Sequence, residues 1–146
     1  MRYSFLVRLS FVLAVLLTGW ACDNGDTPTD PTDRPTVTDT FNGTLTRNGS
    51  QLHTFTATAR GTVTATLTSV SPANSPAIGL SMGTWDATFE VCTAVLTNNA
   101  ATTSSVLTGN IVAITPLCVR LFDPNTAIPE DAPITYTLTV VRPVEE

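Results

Sequence analysis

From Asp39 onward the chain alternates between apolar and polar residues. In GTVTATLTSV (Gly61 to Val70), Val63, Ala65 and Leu67 fall on one side of an extended chain, and Thr62, Thr64, Thr66 and Thr68 on the other. ITYTLTVV (Ile134 to Val141) repeats the arrangement, with Ile134, Tyr136, Leu138 and Val140 against Thr135, Thr137 and Thr139. Successive side chains of a strand point to opposite faces, so each segment reads as a strand with one buried and one wet face. Threonine suits the wet face, because it is β-branched and polar. No stretch of similar length after residue 22 carries the stripe of an amphipathic helix. Turn residues divide the remainder. Asn48-Gly49, between TFNGTLTR and QLHTFTATA, is a strong hairpin signal. Arg60-Gly61 closes the next turn, and SPANSP (71–76) and DPNTAIPEDAP (123–133) read as loops. The pattern predicts strands over 39–46, 51–59, 62–70, 77–83, 87–96, 104–111, 117–122 and 134–142. Seven or eight short strands between residues 39 and 143, without an internal repeat, imply an all-β chain forming a single antiparallel β-sandwich.

Two different textures precede the sandwich. Met1 to Arg8 carries two Arg, and Leu9 to Ala21 is a run of 13 residues without a charge. A membrane-spanning helix needs about 20 such residues. A basic start, a short apolar run and small residues before a border make residues 1–21 a secretory signal peptide. A buried N-terminal helix is the competing reading, but nothing further along the chain offers it a partner. The border, Gly19-Trp20-Ala21-Cys22, resembles a bacterial lipobox, in which small residues precede an invariant Cys. Ala21 fits that pattern; Gly19 stands where Leu is usual, and Trp20 is bulky. The same residues read as an A-x-A-like site for ordinary signal peptidase, so plain secretion is the alternative. Residues 22–38 favour lipidation of Cys22. They form a tether of Thr, Asp and Pro, with Pro28, Pro31 and Pro35, whose apolar surface is too small to offset the entropy of ordering. Acyl chains on Cys22 would contribute about 0.8 kcal/mol per buried methylene and anchor the protein to a membrane. Asp23 resembles the signal that retains lipoproteins at the inner membrane in enteric bacteria; the rule does not extend to all bacteria, and either membrane stays open.

Charge narrows the partners. The chain has 146 residues, 42% of them hydrophobic and only 13% charged, with no Lys. Removing residues 1–21 takes away two Arg and no acid, leaving five Arg against twelve Asp and Glu, a net −7. Phosphate contacts need Arg and Lys in numbers, which excludes nucleic acid as a partner.

HTFTATARGTVTATLTSV, LCVRLFD and ITYTLTVV together resemble bacterial pre-peptidase C-terminal domains. Those domains share an F-T-A-x-x-x-G-x-V-x-V-x-L strand pair, a late C-V-R-V-Y-D strand and a closing Y-x-L-x-V strand. The resemblance implies a compact jelly-roll-like sandwich of the kind appended to secreted enzymes. It also leaves open that the chain is a secreted accessory or binding domain of an extracellular hydrolase system. No enzyme domain is expected within these 146 residues, and the acidic D-x-D-L segment common in that family is missing. The chain is also similar to small Thr-rich lipoproteins of environmental bacteria, which have no assigned activity.

Candidate chemistry is sparse. GLSMG (Gly79 to Gly83) matches the G-x-S-x-G nucleophile elbow, which needs a strand turning into a helix and a His later in the chain. TWDATFEVC follows instead, and the only His, His53, lies upstream. A lone His makes a poor zinc site, which takes three or four ligands. Cys92 and Cys118, the cysteines left after Cys22, are expected to pair in an oxidising compartment. With 25 residues between them, chain entropy gives about 3.5 kcal/mol of stabilisation. Asp123, Asn125, Glu130 and Asp131 supply oxygen ligands of the kind calcium takes, without the spacing of a calcium loop. Trp85, beside Asp86 at an expected turn, is the best candidate for ligand contact, since an indole offers a large apolar face; its competing role is filling one end of the sandwich. These readings point to no enzyme and no cofactor. They favour a non-catalytic cell-envelope lipoprotein with a structural role or a protein or glycan partner bound at a loop end.

Overall fold

The computed structural model describes residues 34–146. The expected signal peptide, Cys22 and the tether as far as Asp33 lie outside the described residues. Eight strands follow: β1 (Thr36–Leu45), β2 (Ser50–Ala57), β3 (Gly61–Ser71), β4 (Ile78–Asp86), β5 (Val91–Ala101), β6 (Val106–Ile111), β7 (Thr115–Phe122) and β8 (Ile134–Pro143). They form two four-stranded sheets, ordered β1-β8-β3-β6 and β2-β7-β4-β5, with every neighbouring pair antiparallel. The first strand pairs with the last, the second with the seventh, the third with the sixth and the fourth with the fifth. This is the arrangement of a long antiparallel ribbon rolled over on itself, a jelly roll.

Alternation decides which residues meet in the middle. Val63, Ala65 and Leu67 of β3 and Tyr136, Leu138 and Val140 of β8 face inward from the first sheet. Leu80 and Met82 of β4 and Leu117, Val119 and Leu121 of β7 face them from the second. The intervening threonines cover the outside of the first sheet, as their spacing predicts.

Three expectations are corrected. The Asn48-Gly49 turn is present, with Asn48 at φ 54° and the Gly49 amide donating to Thr46 O at 2.8 Å, but it joins no hairpin. β1 lies in one sheet and β2 in the other, so residues 46–49 carry the chain across the sandwich. Local turn chemistry was right, and pairing across long sequence distances overrode the hairpin. The Arg60-Gly61 turn crosses between sheets in the same way. The strand expected over 87–96 begins only at Val91. The Asp86 carboxylate accepts from the Thr88 and Phe89 amides, at 2.8 and 3.1 Å, and closes a tight turn there. β1 starts at Thr36, so residues 36–38 belong to the sheet and not to the tether.

Cys92 and Cys118 form a disulfide, with Cα atoms 5.9 Å apart. They belong to β5 and β7, which are separated in the sheet by β4. The bond is reached because the pairing of β4 with β5 shifts between Met82 and Gly83, and β5 folds over the outside of β4 there. A Cβ on Gly83 would overlap the carbonyl of Thr93 and crowd Cα of Ala94. The absence of a side chain at Gly83 is therefore a condition for the disulfide. Gly83→Ala should destabilise the domain by about 3 kcal/mol or more through overpacking, lowering the melting temperature by roughly 10–20 °C. Calorimetry of the variant checks this; an unchanged melting temperature would show that β5 does not press on this position.

Candidate functional site

The residues that could carry chemistry are held apart. Ser81 is buried on the outward face of β4, opposite Arg120, and its Oγ donates to Arg120 O at 3.4 Å. His53 is on the inward face of β2, opposite Val119. The two side chains thus lie on opposite faces of one sheet. The strand continues through Ser81 to Asp86 without the strand-to-helix turn of an elbow.

The four oxygen donors considered for calcium share the β7–β8 connection, but Asp123 is already occupied. Its carboxylate accepts from the Ala127 amide at 2.9 Å, from Asn48 at 3.2 Å and from Ile128 at 3.3 Å. Slight burial acts to raise its pKa, but these donations outweigh it and hold the carboxyl below its usual range. Asp123 fastens the loop to the β1–β2 corner. Asn125, Glu130 and Asp131 are exposed. Among the described residues, no group of three or more His, Cys, Asp or Glu is arranged to hold a metal ion.

Trp85 is the penultimate residue of β4, half-buried and paired with Cys92, not part of the turn. Thr84 pairs with inward-facing Leu117, so alternation puts Trp85 on the outside of the second sheet, with the adjacent Asp86 closing the turn.

What the sequence did not reveal is a difference between the two open sides of the sandwich. On the side of β1 and β2 the gap is fastened. Phe41 stacks on His53 with ring centroids 4.6 Å apart, and His53 Nε2 lies 2.8 Å from the Tyr136 hydroxyl. Gln51 donates to Thr44 O at 3.2 Å. Arg142 donates to Asp39 at 2.6 Å and to Thr56 O at 2.7 Å, so one guanidinium links both sheets.

On the side of β5 and β6 no such links occur among the described residues, and a cleft of about 250 Å³ opens. Val63, Met82, Leu96, Ile111 and Leu117 line it, with Val95 and Val112 at its mouth. Gly109 lets Met82 and Leu96 pack directly over β6: a Cβ there would lie 3.3 Å from Met82 and 3.5 Å from Leu96. LTGNI (Leu107 to Ile111) held the available signal, a glycine where alternation calls for an inward apolar side chain. The polar positions of the lining are few, among them Thr84, Asn110 and Thr115, and they present no base or nucleophile. The arrangement can hold an apolar group. It cannot activate one.

The sequence matches no protein-family model and none of the curated proteins.

Burial lowers the pKa of His53 from 6.5 and pushes that of Tyr136 up to about 12, so neutral His53 is the form the fold accommodates. A lowered histidine pKa contributes stability that is complete above the unfolded value of 6.5 and is lost as pH falls through the folded value. Urea unfolding at about pH 7.5 and pH 5 should show this loss in the native protein and not in His53→Phe. Equal losses in both would remove His53 as the cause.

Proposed function

We propose that the protein is a non-catalytic binding domain of the bacterial cell envelope, anchored through acylated Cys22, and that it binds an apolar group in the cleft between β5 and β6. The cleft carries this reading. It is the one side of the sandwich that the described residues leave unfastened, and its lining is apolar and offers no reactive groups. Such concave apolar sites are the usual form of a ligand pocket. A sugar would need convergent hydroxyl and amide partners, so the lining favours an apolar part of a protein or lipid over a glycan. The strand order supports the likeness to pre-peptidase C-terminal domains, although many unrelated families share such sandwiches. The anchor is supported by Cys22 itself, the one cysteine that the disulfide leaves over, at the boundary between an apolar run and a Thr-Pro-Asp segment.

Two measurements test the proposal. Mass spectrometry of the mature N-terminus should find Cys22 acylated; an unmodified Cys22 would leave a secreted domain with no lipid anchor. Val95→Asp should put a charge on the lining of the cleft and weaken binding of an apolar dye such as Nile red by about tenfold. Its melting temperature should change by only a few degrees, because Val95 is exposed and fills no part of the core. Equal dye binding by both proteins would reject the cleft as the site.

A further inference from the structure

We propose that the end of the sandwich formed by residues 87–91 and 112–114 rests on a lipid bilayer, with Phe89, Val112 and Ile114 entering its surface. The proposal deepens the envelope reading and rests on the anchor at Cys22; it names the partner of the open side as a lipid surface.

The antiparallel order sorts the connections between two ends. The β1–β2, β3–β4, β5–β6 and β7–β8 connections lie at one end, and the β2–β3, β4–β5 and β6–β7 connections at the other. At the first end the loops are Thr, Ser, Asn, Asp and Pro in the main, and no large apolar side chain within them is exposed. The second end is the opposite. Phe89 at the tip of the β4–β5 turn is 75% exposed, and Val112 and Ile114 in the β6–β7 connection are 90% and 60% exposed. Water-exposed loop tips are not ordinarily built from such residues, and a cluster of them marks an interaction surface. The cluster is continuous with the cleft, whose mouth is formed by Val95 and the same Val112.

The position of the chain identifies the occupant. Arg34, where the described residues begin, borders a depression shared with Arg60, Val112, Ile114 and Glu145 at this same end. Residues 23–33 therefore run from this end to Cys22 and can span at most about 40 Å. An anchor at Cys22 brings the apolar end toward the membrane and leaves the polar end outermost. Arg34 and Arg60 share their depression with Glu145, and Glu90 stands in the β4–β5 turn of the same end, so the charge there is mixed and offers no positive patch to anionic headgroups. Contact must come from apolar insertion, as in peripheral elements that bury an apolar face at the boundary of headgroups and acyl chains. It should not require anionic lipid.

Trp85 reports the contact, because it is the only Trp after residue 20 and stands next to this turn. The chain from Cys22 onward would be coupled by the Cys22 thiol to a maleimide-headgroup lipid in phosphatidylcholine vesicles with brominated acyl chains. Cys92 and Cys118 are joined to each other and do not compete. This coupling supplies the anchor whether or not cells acylate Cys22, so failure of acylation, read by mass spectrometry, is separate from failure of docking. Bromine should lower Trp85 emission relative to unbrominated vesicles, with little change at about 0.5 M salt. Combined Phe89→Asp, Val112→Asp and Ile114→Asp should restore emission at an unchanged melting temperature; Phe89→Asp alone, at an exposed turn, serves if the triple variant unfolds. Equal emission on both kinds of vesicle would overturn the proposal. So would quenching that survives the aspartates, or quenching that needs anionic lipid and disappears in salt.

Discussion

Every other feature depends on the burial of alternate side chains between two sheets that have no other means of support. Leu67, Leu138 and Val140 on one side and Leu80, Val119 and Leu121 on the other are fully buried. Each such side chain contributes about 1.5–3 kcal/mol. Among the described residues no helix covers either sheet, so each sheet has only the other to shield its apolar face. The sandwich then has two long open sides where the inner faces meet water, and the protein treats them differently. Aromatic, amide and guanidinium groups fasten the side of β1 and β2. The side of β5 and β6 is apolar and incompletely filled.

The strands with strict alternation, β3 and β8, were legible in the sequence because period-two burial is a local property of a pleated chain. So was the disulfide, since two cysteines expected in an oxidising compartment have few alternatives to each other. Sheet membership was not legible. Asn48 and Gly49 specify a turn, but a turn does not say whether the next strand lies alongside or crosses to the facing sheet. That choice was made by Leu45 opposite Ile134 and by Phe55 opposite Leu117, partners about 90 and 60 residues away. The cleft was hidden for a related reason: Gly109 is unremarkable until Met82 and Leu96, on two other strands, are seen to pack against it. Phe89, Val112 and Ile114 are ordinary apolar letters in the sequence. They gain meaning only once strand directions place them at one end of the domain.

The disulfide shows how one covalent link can depend on an atom that is missing. Cys118 faces outward from β7 yet is fully buried, because β5 lies over it. Without the bulge after Met82 and the bare backbone of Gly83, β5 would continue flat and Cys92 would sit a strand too far away. The link also fixes the start of β5, next to the turn that carries Phe89. The most exposed apolar tip of this sheet is thus held by the only cross-link of the domain.

Pairing of the first strand with the last has a consequence for the order of events in the cell. β8 is the partner of both β1 and β3, although about 90 residues separate the end of β1 from its start. Until residues 134–143 have been made, two of the four strands of the first sheet have no neighbour in common, and the inner face of the second sheet has little to close against. Topologies dominated by such distant pairings fold slowly, because loop closure must precede any reward from contact. A chain that can complete its core only after its last strand is available stays open during synthesis, the condition in which a polypeptide can still be threaded through a narrow channel.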